Sequence, residues 1–126
     1  MRNLLIAAGL AVLTCASPAG AEQRRSGGNV IEGVDFTRRP GQPPIEETYP
    51  DTRGMPRDVQ AYIIRWSDCR HWGGEYSEDP VRAAQIARGQ REACAGIDAL
   101  GERVRDRHRS NLSVITRLTT YEPIEN

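Results

Sequence analysis

Cys69-Arg70-His71-Trp72-Gly73-Gly74-Glu75 is the densest run of rare residue types in the chain, and a helix stop falls inside it. Upstream of it, Val59, Tyr62, Ile63, Trp66 and Cys69 recur at three- and four-residue steps, the spacing that aligns one face of an α-helix. Arg57, Gln60, Arg65 and Asp68 fall largely elsewhere on that helix. Pro56 lacks the N–H that a first turn would leave unsatisfied, and Asp58 suits the positive end of the helix dipole. The helix is therefore predicted to start near Met55. Gly73-Gly74 accepts a left-handed C-cap, which ends it at about Trp72.

Downstream, Ser77-Glu78-Asp79-Pro80 opens a second helix, with Ser77 or Asp79 as N-cap and a proline in the first turn. Ile86, Gln90, Ala93 or Cys94, Ile97, Leu100 and Val104 carry a stripe through Arg107, weakened at Gly96 and Gly101. One long or slightly kinked helix is expected there. Leu112 to Leu118 fits a short helix or an alternating strand, and the helix is preferred. The expected fold is all-α: a small disulfide-stapled helical hairpin or three-helix domain over residues 55–118, after a disordered N-terminal arm and before a C-terminal tail at 119–126.

Residues 1–21 read as a secretory signal peptide. Arg2 gives the positive start, Leu4 to Leu13 the apolar run, and Ala19-Gly20-Ala21 the small-residue cleavage pattern. The apolar run is well short of the roughly 18 residues of a membrane-spanning helix, so no stable membrane anchor is expected. Lipid attachment at Cys15 would call for a smaller residue than Thr14 before it. Residues 22–54, with Pro40, Pro43, Pro44 and Pro50, read as a flexible arm or linker. A short strand at 29–36 would need a partner, for which the C-terminal stretch is the candidate.

Cleavage before Glu22 leaves Cys69 and Cys94 of the three cysteines, and two cysteines in an exported chain suggest one disulfide. Closing that loop would stabilise a small domain by roughly 3 to 4 kcal/mol in the chain-entropy model. Cys94 lies about 21 Å along a helix from Pro80, and the connection from Gly73 to Asp79 reaches about 23 Å when extended. The connection is thus expected to run along the second helix, with His71, Trp72 and Glu75 packed beneath or beside it.

Seventeen basic residues, all arginine, balance seventeen acidic ones, so no net field draws the chain to nucleic acid or an anionic membrane. Cys69, His71, Cys94 and His108 are zinc- or copper-binding types, but no metal-ligand spacing is present, and oxidised cysteines offer no thiolate. No metal or cofactor is implied. No nucleophile-base pair, carboxylate pair or phosphate loop stands out, and the chain is not expected to be an enzyme. Arg103 to Arg109 reads as a solvated helix end. His71, Trp72 and Glu75 form the candidate binding corner; the competing reading is a structural corner with the indole N–H bonded to a backbone carbonyl.

With Asp79, Arg82 and Cys94 following it, the Cys69 to Glu75 stretch resembles a loose group of small exported proteobacterial proteins. Their pattern is Cys-x-His-aromatic-x-Gly-Glu, then an Asp and an Arg, then a second Cys. The resemblance covers about Val59 to Leu118 and implies export and a common helical fold; it assigns no catalytic role. The expectation is a periplasmic or secreted binding or structural module of the bacterial envelope with an unidentified protein partner. The alternatives are an inhibitor or immunity-type protein against a wall-active enzyme, and a metal-binding protein or hydrolase using the Cys69 to Glu75 corner.

Overall fold

The computed structural model describes residues 29–124. The signal-peptide reading and the first part of the 22–54 arm lie outside them. The described chain is mainly helical, and Cys69 and Cys94 form a disulfide with their Cα atoms 4.8 Å apart.

Residues 29–54, expected as a linker, carry defined elements. Strands β1 (Val30–Ile31) and β2 (Val34–Asp35) pair antiparallel, Ile31 against Val34, so the strand finds its partner in its own return and not in the C-terminal stretch. The turn between them places Glu32 and Gly33 at positive φ, as a two-residue hairpin of this hand requires. Glu32 is held in that unusual conformation from outside: Arg65 donates to its carbonyl and Arg103 pairs with its carboxylate at 3.4 Å. Helix α1 (Ile45–Thr48) and a 3-10 turn at Pro50–Thr52 follow.

Helix α2 (Arg57–Gly74) is the axis of the fold. Val59, Tyr62, Ile63 and Cys69 of the predicted face are buried, and Trp66 packs against the core they build. Gln60, Ala61 and Ile64 are buried as well, although they sit off the apolar stripe. Gln60 is tolerated there because its side chain donates to the Met55 carbonyl at 2.8 Å. The helix runs two residues beyond the predicted stop. Neither Gly73 nor Gly74 has a positive φ, and the chain leaves through an extended Glu75.

Asp79 caps helix α3 (Pro80–Cys94), accepting from the Arg82 N–H at 2.8 Å. Contacts with α2 run in antiparallel order: Glu75 with Arg82, Trp72 with Gly89, and Cys69 with Cys94. Cys69 lies about 7 Å from the end of α2 and Cys94 about 21 Å from the start of α3, at 1.5 Å per residue. Glu75 to Asp79 therefore travels along α3, as the spacing required.

The single long helix expected over 80–107 is instead two. Gly96, at φ 63, breaks it, and α4 (Ile97–Arg107) starts afresh. The end of α3 leaves carbonyls without helical partners, and Arg65 donates to those of Ala93 and Ala95. Helix α5 (Leu112–Leu118) adopts the preferred conformation, with Asn111 accepting from the Val114 N–H at 3.2 Å.

Residues 119–124, expected as a tail, close the core. Tyr121 is buried beside Tyr62, Ile97, Leu100 and Leu118. Tyr62 and Arg105 donate to the Tyr121 carbonyl, Trp66 Nε1 donates to that of Glu122 at 2.8 Å, and Asp98 accepts from the Ile124 N–H. Within the Arg103 to Arg109 run, Arg107 and His108 cross-link to the Asp58 carboxylate at 2.7 and 2.9 Å, while Arg109 pairs with Asp106 at the solvated surface. Burial works against ionising Asp58, yet the hydrogen bonds from His108 and Arg107 outweigh it and hold the carboxyl below its ordinary pKa.

Two outcomes follow from this architecture. Cys94→Ala should cost about 2 to 5 kcal/mol, and reductant should lower the melting temperature of the wild type but not of the variant. Because the pKa of Asp58 is depressed by folding, its stabilising contribution is present above about pH 4 and is lost as the pH falls further. Asp58→Asn should therefore melt below wild type at pH 7, with the gap closing in acid; thermal melts across pH that show a constant gap would exclude this role.

Candidate functional site

The Cys69–Cys94 bridge anchors the last turns of α2 against α3, and the predicted corner is built on this anchor. Trp72 lies flat against the backbone of Gly89, so close that a Cβ added there would meet indole carbons at 2.4 Å. The Arg82 guanidinium stands 5.5 Å from the Trp72 ring and pairs with Glu75 at 3.1 Å. Trp72 and Glu75 thus face α3 and are used in fastening the hairpin. The indole N–H bond to a backbone carbonyl expected of Trp72 is made by Trp66 instead, because only Trp66 faces the returning C-terminal segment.

His71 parts from the other two. Its ring meets Trp72 edge-on at 5.3 Å, but it lines a separate cleft of about 510 Å³ with Tyr49, Asp51, Ser67, Asp68 and Tyr121. Tyr49 donates to Asp68 at 2.6 Å and Tyr121 donates to Asp51 at 2.7 Å. Burial, then the adjoining carboxylate, pushes each phenol far above its ordinary pKa, so both stay protonated donors and neither is primed as a nucleophile or base. Arg117 balances the Asp51 charge at 2.7 Å.

Sequence reasoning did not find this cleft. Asp68 and His71 share a helix face at i, i+3, which was legible. Tyr49, Asp51 and Tyr121 reach it only through tertiary packing, from segments without periodicity. Among the described residues no three His, Cys, Asp or Glu side chains gather as a metal-ligand set, and both corner sulfurs are bonded to each other. His108 is 3.1 and 2.9 Å from the two Asp58 oxygens, remote in sequence from the corner.

The connection beyond the corner and the first turn of α3 carry two exposed large apolar groups, as the start of α5 does with Leu112. Tyr76 is 83% exposed and Val81 79%. They flank a loop closed by Ser77 and Asp79, where the Ser77 hydroxyl accepts from the Asp79 N–H at 3.2 Å. From Val81 a shallow groove continues past Ala84 and Gln85 to Arg88 and Arg91. No family model matches the chain, and no curated protein or solved structure matches it.

Gly89→Ala tests the fastening of the corner by setting two opposed effects against each other. Alanine gains about 1 kcal/mol of helix propensity, whereas forcing the indole away is an overpacking cost of about 1 to 3 kcal/mol. The variant should be less stable than wild type and show altered tryptophan emission. Glu75→Ala, which removes only a half-exposed ion pair, should cost no more than about 1 kcal/mol by the same melts.

Proposed function

We propose that the chain is an exported binding module of the bacterial envelope that meets a protein partner through the tip of the α2–α3 hairpin. One observation carries this reading: Tyr76, on the connection from α2 to α3, and Val81, in the first turn of α3, expose large apolar surface beside the local bonds of the Asp79 cap and the Glu75–Arg82 pair. Aromatic anchors on pre-ordered loops bind well because little ordering entropy remains to be lost. Arg88 and Arg91 extend the groove, and neither forms an ion pair among the described residues. The matching partner surface has an apolar pocket with an acidic margin. Export is supported by the leader-like residues 1–21 and by the disulfide, a feature of oxidising compartments. No described helix is long and apolar enough to cross a membrane.

An exposed aromatic residue on a connection held by local hydrogen bonds also favours the inhibitor reading, in which the partner is a wall-active hydrolase. The test is affinity capture from envelope extract with the wild type, a Tyr76→Ser/Val81→Ser variant and a His71→Ala variant. The tip variant should melt like wild type and lose the captured protein, while His71→Ala keeps it. A partner retained by the tip variant, or lost with His71→Ala alone, would move the site to the corner and overturn the proposal. One-to-one recovery of a hydrolase, inhibited by the wild type and not by the tip variant, would establish the inhibitor form.

A further inference from the structure

A cavity of about 490 Å³ lies between the Phe36–Gln42 loop and the Pro43–Tyr49 segment; it shares Thr48 and Tyr49 with the His71 cleft and no lining residue with the groove that starts at Val81. That volume is within the range of small-molecule sites. Its apolar wall is made by Phe36, Pro44, Ile45 and Tyr49, and its cationic side by Arg38, Arg39 and Arg57. We propose that this cavity binds a small organic carboxylate, with a flat apolar body against Phe36 and Tyr49 and the carboxylate head on the arginines.

The strongest support is the state of Arg57. Its guanidinium carbon sits 4.6 Å from the centre of the Phe36 ring, and its one hydrogen bond is a long 3.4 Å contact to the Gln60 side chain. That contact holds the guanidinium beside the ring while most of its N–H donors stay unused, and an open fork is what a carboxylate fills with two parallel bonds. None of the three arginines forms an ion pair among the described residues. Two carboxylates also line the cavity, Asp35 and Glu46, and Asp35 is already engaged by the Thr37 N–H at 2.9 Å. The balance of charge at the mouth is therefore positive and favours an anion.

The walls are fixed before any ligand arrives. The Arg39 N–H donates to the Gln42 side chain at 3.1 Å, the Gln42 N–H returns to the Arg39 carbonyl, and the Tyr49 hydroxyl is held by Asp68. Fork-type donors around an aromatic wall fit two sources of the same chemistry: a free aryl-alkyl acid, or the carboxylate end of a peptide that finishes in an aromatic residue.

Isotope-labelled protein titrated with 3-phenylpropionate, N-acetylphenylalanine and the uncharged N-acetylphenylalanine amide, followed by amide chemical shifts, tests this directly. Saturable shifts confined to residues 36–49 and Arg57, with the acids binding at least about tenfold tighter than the amide, are expected. Arg57→Gln and Arg38→Gln should each weaken acid binding several-fold while melting like wild type. Tighter binding of N-acetylphenylalanine than of phenylpropionate identifies a peptide terminus as the source, and the reverse a free acid. No saturable shift up to about 10 mM, equal binding of acid and amide, or full binding by both arginine variants would overturn the proposal. Loss of partner capture at the tip would leave it standing, because the two sites share no side chain.

Discussion

The bond between Cys69 and Cys94 sets where the rest of the chain can go. It pins the end of α3 beside the last turns of α2, so the polypeptide arrives there with a helix that must stop. Gly96 supplies the left-handed residue for the stop, and Arg65, reaching across from α2, takes up the Ala93 and Ala95 carbonyls that the stop exposes. Helix α4 is thereby turned back across α2, bringing Ile97, Leu100 and Val104 onto Tyr62 and Ile63. A loop closed over 25 residues removes roughly 3 to 4 kcal/mol of unfolded-state freedom. That is comparable to a large part of a small domain's net stability.

Arginine does the work around this frame that lysine could not do as well. Arg65 serves carbonyls on two segments and Arg105 serves Leu118 and Tyr121, each using the spread of donors on one planar group. Satisfying carbonyls that are partly withdrawn from water avoids a cost of about 1 to 3 kcal/mol for each group left unpaired. The ion pairs at the surface, such as Arg109 with Asp106, contribute far less, roughly 0 to 1 kcal/mol. Composition alone does not separate these roles, since both use the same residue type.

The parts of the fold legible in the sequence were those written in local periodicity. The Val59 to Cys69 stripe, the Asp79-Pro80 helix entry and the cysteine pair each point to one outcome through short-range physics. The rest depended on long-range partners. Ile64 is buried on a side of α2 that the β1–β2 hairpin meets, residues 119–124 fold back beside Tyr62 and Trp66, and neither segment shows periodicity that would announce it. Gly96 and Gly101 looked equivalent as weak helix formers, yet Gly101 stays helical and lies against the Tyr62 hydroxyl, where a Cβ would come within 2.8 Å. Of the candidate corner, the closeness of the residues was legible but not their division: Trp72 and Glu75 turn to α3, while His71 turns to Tyr49 and Asp68.

That division separates side chains consumed by the fold from those left over. Trp72 has Gly89 against its ring and Arg82 beside it, and Glu75 holds Arg82, so the chemistry that first marks out the stretch is spent on fastening two helices. Tyr76 and Val81 contribute nothing comparable to packing. Single exposed apolar residues are ordinary on any protein surface. Here two of them stand at the two ends of the turn that Asp79 caps. Under the proposed reading, the Asp79 cap and the Glu75–Arg82 pair lower the conformational freedom that the connection would lose on meeting a partner. The disulfide acts at the other end of the hairpin, about 21 Å along α3 from Pro80, where it fixes the pairing of the two helices that the connection joins.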